Sequence, residues 1–151
     1  MDLKDKIKAR NPVEDRKNVV ILRAVSSAGK SAFADYIQAL DPNTVVCCAD
    51  DYFTDSDGNY NFDINQIKQA HFECFDKFQC AIERFESNVV VANTNTSEWE
   101  FSKYKDYAET NGYTVFVVVI EKRHDNMNDH NLPSGVMDRQ EQSIRKSLKL
   151  R

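Results

Sequence analysis

Glycine is scarce in this chain: four residues in 151, against the roughly ten that an average usage near 7% would give. A glycine that falls at a motif position is therefore informative. Long apolar runs are missing too. The longest, Tyr113 to Ile120, is far short of the ~20 residues of a membrane-spanning helix. The start of the chain has no charged segment leading into an apolar stretch and a small-residue cleavage site, so no secretory signal is expected. Positive charge is not in excess. The net charge is -4, which argues against a protein that grips duplex DNA over a broad face. No Cys-x-x-Cys pair occurs among Cys47, Cys48, Cys74 and Cys80, so they read as reduced thiols of a cytoplasmic protein, not a disulfide framework or a zinc site.

What remains is an ordinary globular mixture, 41% hydrophobic and 29% charged, of a length that suits one domain. Residues 1–17 are highly charged and read as an arm; residues 18–151 read as the domain. Val19-Val20-Ile21-Leu22 is a continuous apolar run typical of a buried strand, followed by a helix from Lys30 to Leu40. Thr44 to Cys48, Asn88 to Ala92 and Tyr113 to Ile120 read as three more strands. Between them the periodicity predicts a helix over 63–86, with Ile64, Ile67, His71, Phe75, Phe78, Ile82 and Phe85 on one stripe. Ser97 with Glu100 three residues on is a capping-box start. It opens a helix that Asn111-Gly112 stops. A last helix runs from about Pro133 or Ser134. Strands alternating with helices, each strand a short continuous apolar run, predict an α/β fold with a three-layer parallel sheet of four or five strands, all buried by cover on both faces. In such sheets ligands bind beyond the carboxyl ends of the strands, so the residues that follow each strand carry the functional argument.

After the first strand comes Ala24-Val25-Ser26-Ser27-Ala28-Gly29-Lys30-Ser31, ending in Gly-Lys-Ser at the start of a helix. This is the P-loop context. The backbone of Ser26, Ser27, Ala28, Gly29, Lys30, Ser31 and Ala32 would wrap phosphates, helped by the positive end of the helix. Lys30 would reach the β- and γ-phosphates and Ser31 would ligate magnesium. Gly29 permits close backbone approach. After the second strand comes Asp50-Asp51-Tyr52. A carboxylate there, Asp50 or Asp51, can accept a hydroxyl proton or hold magnesium; a helix cap or loop start is the plainer use. After the third strand stands Asn93, which can bond a metal-held water or simply lead an Asx-turn into the Ser97 cap. After the fourth come Lys122-Arg123-His124 and then Asn128 to Pro133, a polar segment able to close over phosphates with Arg123 as the transition-state cation. A solvated surface cation is the alternative for Arg123.

These clusters together resemble the small P-loop kinase domains related to phage polynucleotide kinase and the short nucleotide-kinase-like ATPases. The resemblance runs over Ala49-Asp50-Asp51-Tyr52-Phe53, Phe62-Asp63, Ala70-His71, Asn93-Thr94-Asn95 and Asn128-Asp129-His130-Asn131-Leu132-Pro133, from about Val19 to Ser147. It implies an ATP- and Mg2+-dependent kinase acting on a hydroxyl of a single-stranded nucleic acid or nucleotide, with Asp50 as general base. The chain departs from the family pattern in four places. Ser27 stands for a loop glycine, Asn93 for an aspartate, Met127 for a lid arginine, and Phe53 for an arginine that holds a substrate phosphate. Those departures motivate the alternative function, a degenerate P-loop protein that binds a nucleotide and acts through a protein partner without phosphoryl transfer. The basic end of the chain (Arg139, Arg145, Lys146, Lys149 and Arg151 against Glu141) can steer nucleic acid or simply suit a helix C-terminus.

Overall fold

Short apolar runs with no polar alternation must be buried on both faces, and β1 (Asn18–Arg23) is the central case. The computed structural model describes residues 2, 16–124 and 132–150. In it β1 lies between β3 (Asn88–Val91) and β4 (Thr114–Val119), and β2 (Val45–Cys47) flanks β3. All three pairings are parallel, in the order β2-β3-β1-β4. The architecture is α/β with a four-stranded parallel sheet, at the lower of the two strand numbers expected.

The two faces of the sheet are packed by different helices. Val19, Ile21, Val89 and Val91 meet Cys74, Phe78 and Ile82 of α2 (Ile67–Glu83) and Phe101, Tyr104 and Ala108 of α3 (Glu98–Thr110). Leu22 and Val90, one residue along, meet Ala34 and Ile37 of α1 (Lys30–Leu40) on the other side, as the two-residue period of a strand requires. Phe78 and Tyr104 are fully buried with ring centroids 5.0 Å apart, edge to face, the arrangement that aromatic quadrupoles favour. The Ser97–Glu100 capping box is formed. α4 (Val136–Lys146) is the last described helix and buries Ile144.

Two expectations need correction. The helical stripe is only partly the one that apolar periodicity suggested: Phe78 and Ile82 are buried and Phe75 packs against the core, but the ends differ. Ile64 sits in a 3-10 turn before α2, Phe85 lies beyond its end with φ of 59°, and both are exposed. The buried stripe is Ala70, Cys74, Phe78, Ala81 and Ile82. Its small members let the helix approach the sheet, which a row of aromatic side chains would prevent. The fourth strand, read as buried, is an edge. Phe116 and Val117 are 51% and 43% exposed, because no described strand lies beyond β4. The residues assigned to the arm lie, apart from Asp2, Arg16 and Lys17, outside the described residues.

Candidate functional site

Parallel strands bring all their carboxyl ends to one edge, so the loops after β1, β3 and β4 meet there. The Ala24 amide donates to Thr94 O at 3.0 Å and the Ile120 amide to Arg23 O at 2.9 Å. Gly29 caps α1 with φ of 106°, a left-handed conformation open to glycine and unfavourable for other residues. Ser27, two residues before it, also takes positive φ, 64°. α1 has no side-chain cap and no acid in its first turn. Its first amides, which have no helical partners, and its dipole therefore give this end of the helix a positive potential.

Lys30, the second residue of the Gly-Lys-Ser signature, folds back over the loop. Its Nζ donates to Val25 O at 3.2 Å and Ala24 O at 3.5 Å. Burial holds its ammonium below the usual lysine range, and the nearby Asp50 carboxylate partly offsets that. Ser31 is exposed at the start of α1.

The Asp50-Asp51 pair does not continue β2. It lies in a 3-10 turn, Ala49–Phe53, so strand alternation does not separate the two carboxylates; the turn does. Asp50 is exposed, accepts a hydrogen bond from Tyr60 Oη at 3.3 Å, and is the carboxylate whose field reaches Lys30. Asp51 is turned to Lys77. Burial pushes its carboxyl up and Lys77 opposes that. It lines a cavity of about 290 Å³ with Cys48, Tyr52, Glu73, Cys74 and Lys77. Asn93, read either as a partner of a metal-held water or as the lead of an Asx-turn, points inward. Its Oδ1 accepts the Ala49 amide at 2.8 Å and its Nδ2 reaches Cys74 Sγ at 3.6 Å. The reason is local: the turn that carries Asp50 and Asp51 needs a partner for its first amide, and Asn93 supplies it. Among the described residues no cluster of three or more His, Cys, Asp and Glu side chains could hold a metal ion.

Arg123 is exposed, and its Nε pairs with Glu121 at 2.5 Å. It lines a cavity of about 550 Å³ between the end of β4 and α4, bordered also by Val25, Lys122 and Met137. Among the described residues of this segment, His124 reaches the loop after β1, with Nε2 3.3 Å from Ala28 O. Met127 and Asn128 to Asn131 lie outside the described residues.

Two residues at this edge escaped the sequence reading. Gln140 of α4 accepts the Ser26 amide at 2.9 Å and donates to Ser26 Oγ at 3.2 Å. Arg23, at the end of β1, is 2% exposed. It donates to Asn95 O at 2.7 Å, to Thr96 O at 3.0 Å and to Ser147 Oγ, and it stacks over the Phe101 ring at 4.8 Å. Burial pulls its guanidinium below the usual arginine range, and Glu98 and Glu100 counter that. A lone arginine closing an apolar strand was the available signal for Arg23. Gln140 had none, since it is one polar residue on a polar helix. Burial pushes the thiols of Cys47 and Cys48 up to about 12, so both stay protonated near neutrality and are poor nucleophiles.

No family model matches the chain. Over 97 residues it is 32% identical to NEDD4-binding protein 2 of Homo sapiens; that stretch is 64% of this chain and 5% of the human protein. A chain of the Pnkp1/Rnl/Hen1 RNA repair complex superposes with a TM-score of 0.68 at 15% identity, covering 87% of this chain and 45% of that one. A cysteine-to-alanine variant of the APS kinase CysC of Mycobacterium tuberculosis superposes with a TM-score of 0.50 at 15% identity, covering 87% and 96%. At such identities the likeness is one of fold, and the fold is that of the P-loop kinases. The chain spans less than half of the repair-complex chain and a small fraction of the human relative. Among the described residues no helix is long and apolar enough to cross a membrane.

Proposed function

We propose that this chain is an ATP- and magnesium-dependent kinase module that transfers a phosphoryl group to a hydroxyl of a nucleic acid or nucleotide. The observation that carries the reading is Lys30 drawn over the loop onto Val25 O, at the start of a helix whose first amides have no cap, with the Asp50 carboxylate near enough to offset its desolvation. Lys30 would exchange the Ala24 and Val25 carbonyls for phosphate oxygens, and the amides of Gly29, Lys30, Ser31 and Ala32 would hold those oxygens. Asp50, exposed and oriented by Tyr60, would accept the proton of the attacking hydroxyl as that oxygen bonds to the γ-phosphorus and ADP departs. Ser31 fits magnesium: its hydroxyl is exposed beside the phosphate-binding turn, and such an ion keeps several waters and takes few protein ligands. Magnesium would neutralise charge on the phosphates. Asp51 remains a candidate for its water shell, and Asn93 acts through the turn that carries both carboxylates. Arg123 would leave Glu121 to meet the transferring group, while His124 already stands at the loop.

A second reading has its own support. The Ser26 amide is held by Gln140, and Asn93 is neutral and turned inward, as suits a protein that binds nucleotide and acts through a protein partner without transfer. The two separate by experiment. Calorimetry with magnesium-ATP measures binding, and γ-labelled ATP with 5′-hydroxyl oligonucleotides or nucleosides measures transfer. Binding with transfer supports the kinase; binding without transfer supports the partner-acting module. Lys30→Ala should keep the fold and weaken ATP binding by about 2–4 kcal/mol, the scale for truncating one partner of a desolvated charged pair. Equal affinity in wild type and variant would remove the P-loop reading.

A further inference from the structure

The loop after β1 has serine at a position where it takes a left-handed conformation, φ of 64°. L-residues other than glycine avoid that region because Cβ crowds the following carbonyl. Such an outlier persists only where its surroundings over-determine it. The surroundings here are specific. Immediately before Ser27, the Gln140 carboxamide takes both the amide and the hydroxyl of Ser26. Immediately after it, the Ala28 amide donates to Val25 O at 3.2 Å, and His124 Nε2 meets Ala28 O.

The clasp has a firm base. α4 is pinned beyond its C-terminal end, where Ser147 Oγ accepts from Arg23 and donates to Thr96 O, and Lys149 pairs with Glu98 at 2.7 Å. Arg23 itself directly precedes the loop. The helix that carries Gln140 is therefore fastened beyond its C-terminal end, in part to the residue directly before the loop, and Gln140 adds a second point of attachment from its middle.

We propose that Gln140 is a positioning residue of the phosphate site: its two-point clasp on Ser26 holds the loop in the left-handed shape that a glycine at position 27 would reach unaided. The inference rests on the reading of this loop as a nucleotide-phosphate site. It makes α4 a structural part of that site. Gln140 itself touches no phosphate; the amides at the start of α1 do that work.

The test is a double-mutant cycle on the full chain with magnesium-ATP as ligand. Gln140→Ala substitutes a better helix former, so α4 should persist and thermal melting should change little. ATP affinity should fall about thirtyfold, the equilibrium equivalent of two neutral hydrogen bonds. Ser27→Gly alone sets the reference affinity of the cycle, since its loop reaches the left-handed shape with or without the clasp. In the Ser27→Gly, Gln140→Ala double variant affinity should return to within about threefold of that reference, since the loop then needs no clasp. A general loosening of the fold would not be rescued by a glycine. Unchanged affinity in Gln140→Ala overturns the proposal, and so does an unrescued loss in the double variant. A second arm uses no nucleotide. Hydrogen exchange of residues 25–29 should accelerate in Gln140→Ala, and unchanged exchange overturns the clasp. If wild type binds no ATP, the phosphate-site reading fails and this proposal with it; the exchange arm then shows whether the loop shape depends on Gln140 regardless.

Discussion

Arg23→Ala is a substitution from which the structure predicts a large loss of stability. The guanidinium is almost wholly buried and donates to two main-chain carbonyls, Asn95 O and Thr96 O, and to Ser147 Oγ. Removing it leaves the carbonyls without those donors, unfastens Ser147 and strips a flat cation from the Phe101 ring. Hydrogen bonds to a charged group contribute about 1.5–3 kcal/mol each. Against that stands the cost of keeping a guanidinium out of water, the same burial that lowers its pKa. The net loss should be about 3–5 kcal/mol, the range for breaking a buried charged network by deleting one partner. For a domain of this size that is a drop in Tm of about 10–15 °C. Arg23→Met, which restores volume over Phe101 but supplies no donors, should recover about a third of the loss. Arg23→Lys should fall between, because a single ammonium cannot reproduce the planar fork. Circular dichroism melts of the three variants, with urea titration to check that the m-value is constant, measure this directly. A melt of Arg23→Ala within about 3 °C of wild type would refute the reasoning, since it would mean that water replaces the lost donors at no cost.

Three further outcomes follow from the site. Asp50→Asn is nearly isosteric but cannot take a proton, so under the kinase reading it should slow phosphoryl transfer about 100-fold or more with ATP affinity little changed. Asp51→Asn should be mild, and single-turnover transfer in which Asp51→Asn is the crippled variant would reverse the assignment. The Lys30 ammonium is held below its ordinary pKa by burial, and bound phosphates would raise it again. ATP binding should then take up protons at alkaline pH, and its affinity should fall as pH climbs through the pKa of the bound form; calorimetry in buffers of differing ionisation enthalpy reads that uptake, and release instead of uptake would contradict the sign. Thr44 Oγ1 is buried with no hydrogen-bond partner among the described residues, so Thr44→Val should raise stability by about 0.5–1.5 kcal/mol, seen as a higher Tm; a lower one would mean that the hydroxyl is satisfied.

Much of the architecture was legible because it rests on local rules. The four apolar runs, the bounds of α1, the Ser97 capping box and the Asn111-Gly112 stop all follow from burial, helix periodicity and cap chemistry. The Gly29-Lys30-Ser31 signature was equally plain, since only glycine is at ease at φ of 106°. The stripe of α2 was partly misread because apolar spacing reports which side chains avoid water and not how closely a helix approaches a sheet. Ala70, Cys74 and Ala81 won the inner positions by being small. Strand 4 was misread as buried because an edge strand has the same composition as a central one until its neighbours are known.

What the sequence by itself determined is the order of the elements and the chemistry available after each strand: a phosphate-type loop, a carboxylate pair, an amide and a cation. Tertiary structure decided how those groups are shared out. The 3-10 turn sent Asp50 towards Lys30 and Asp51 towards Lys77. Asn93 was claimed by the Ala49 amide, because a buried amide must find an acceptor. Gln140 and Arg23 gained their places only when the last helix, more than 110 residues along the chain from the loop, packed against it. Contacts at that separation leave no periodic mark in a sequence, since each end is set by its own neighbours and the pairing exists only once the chain has folded.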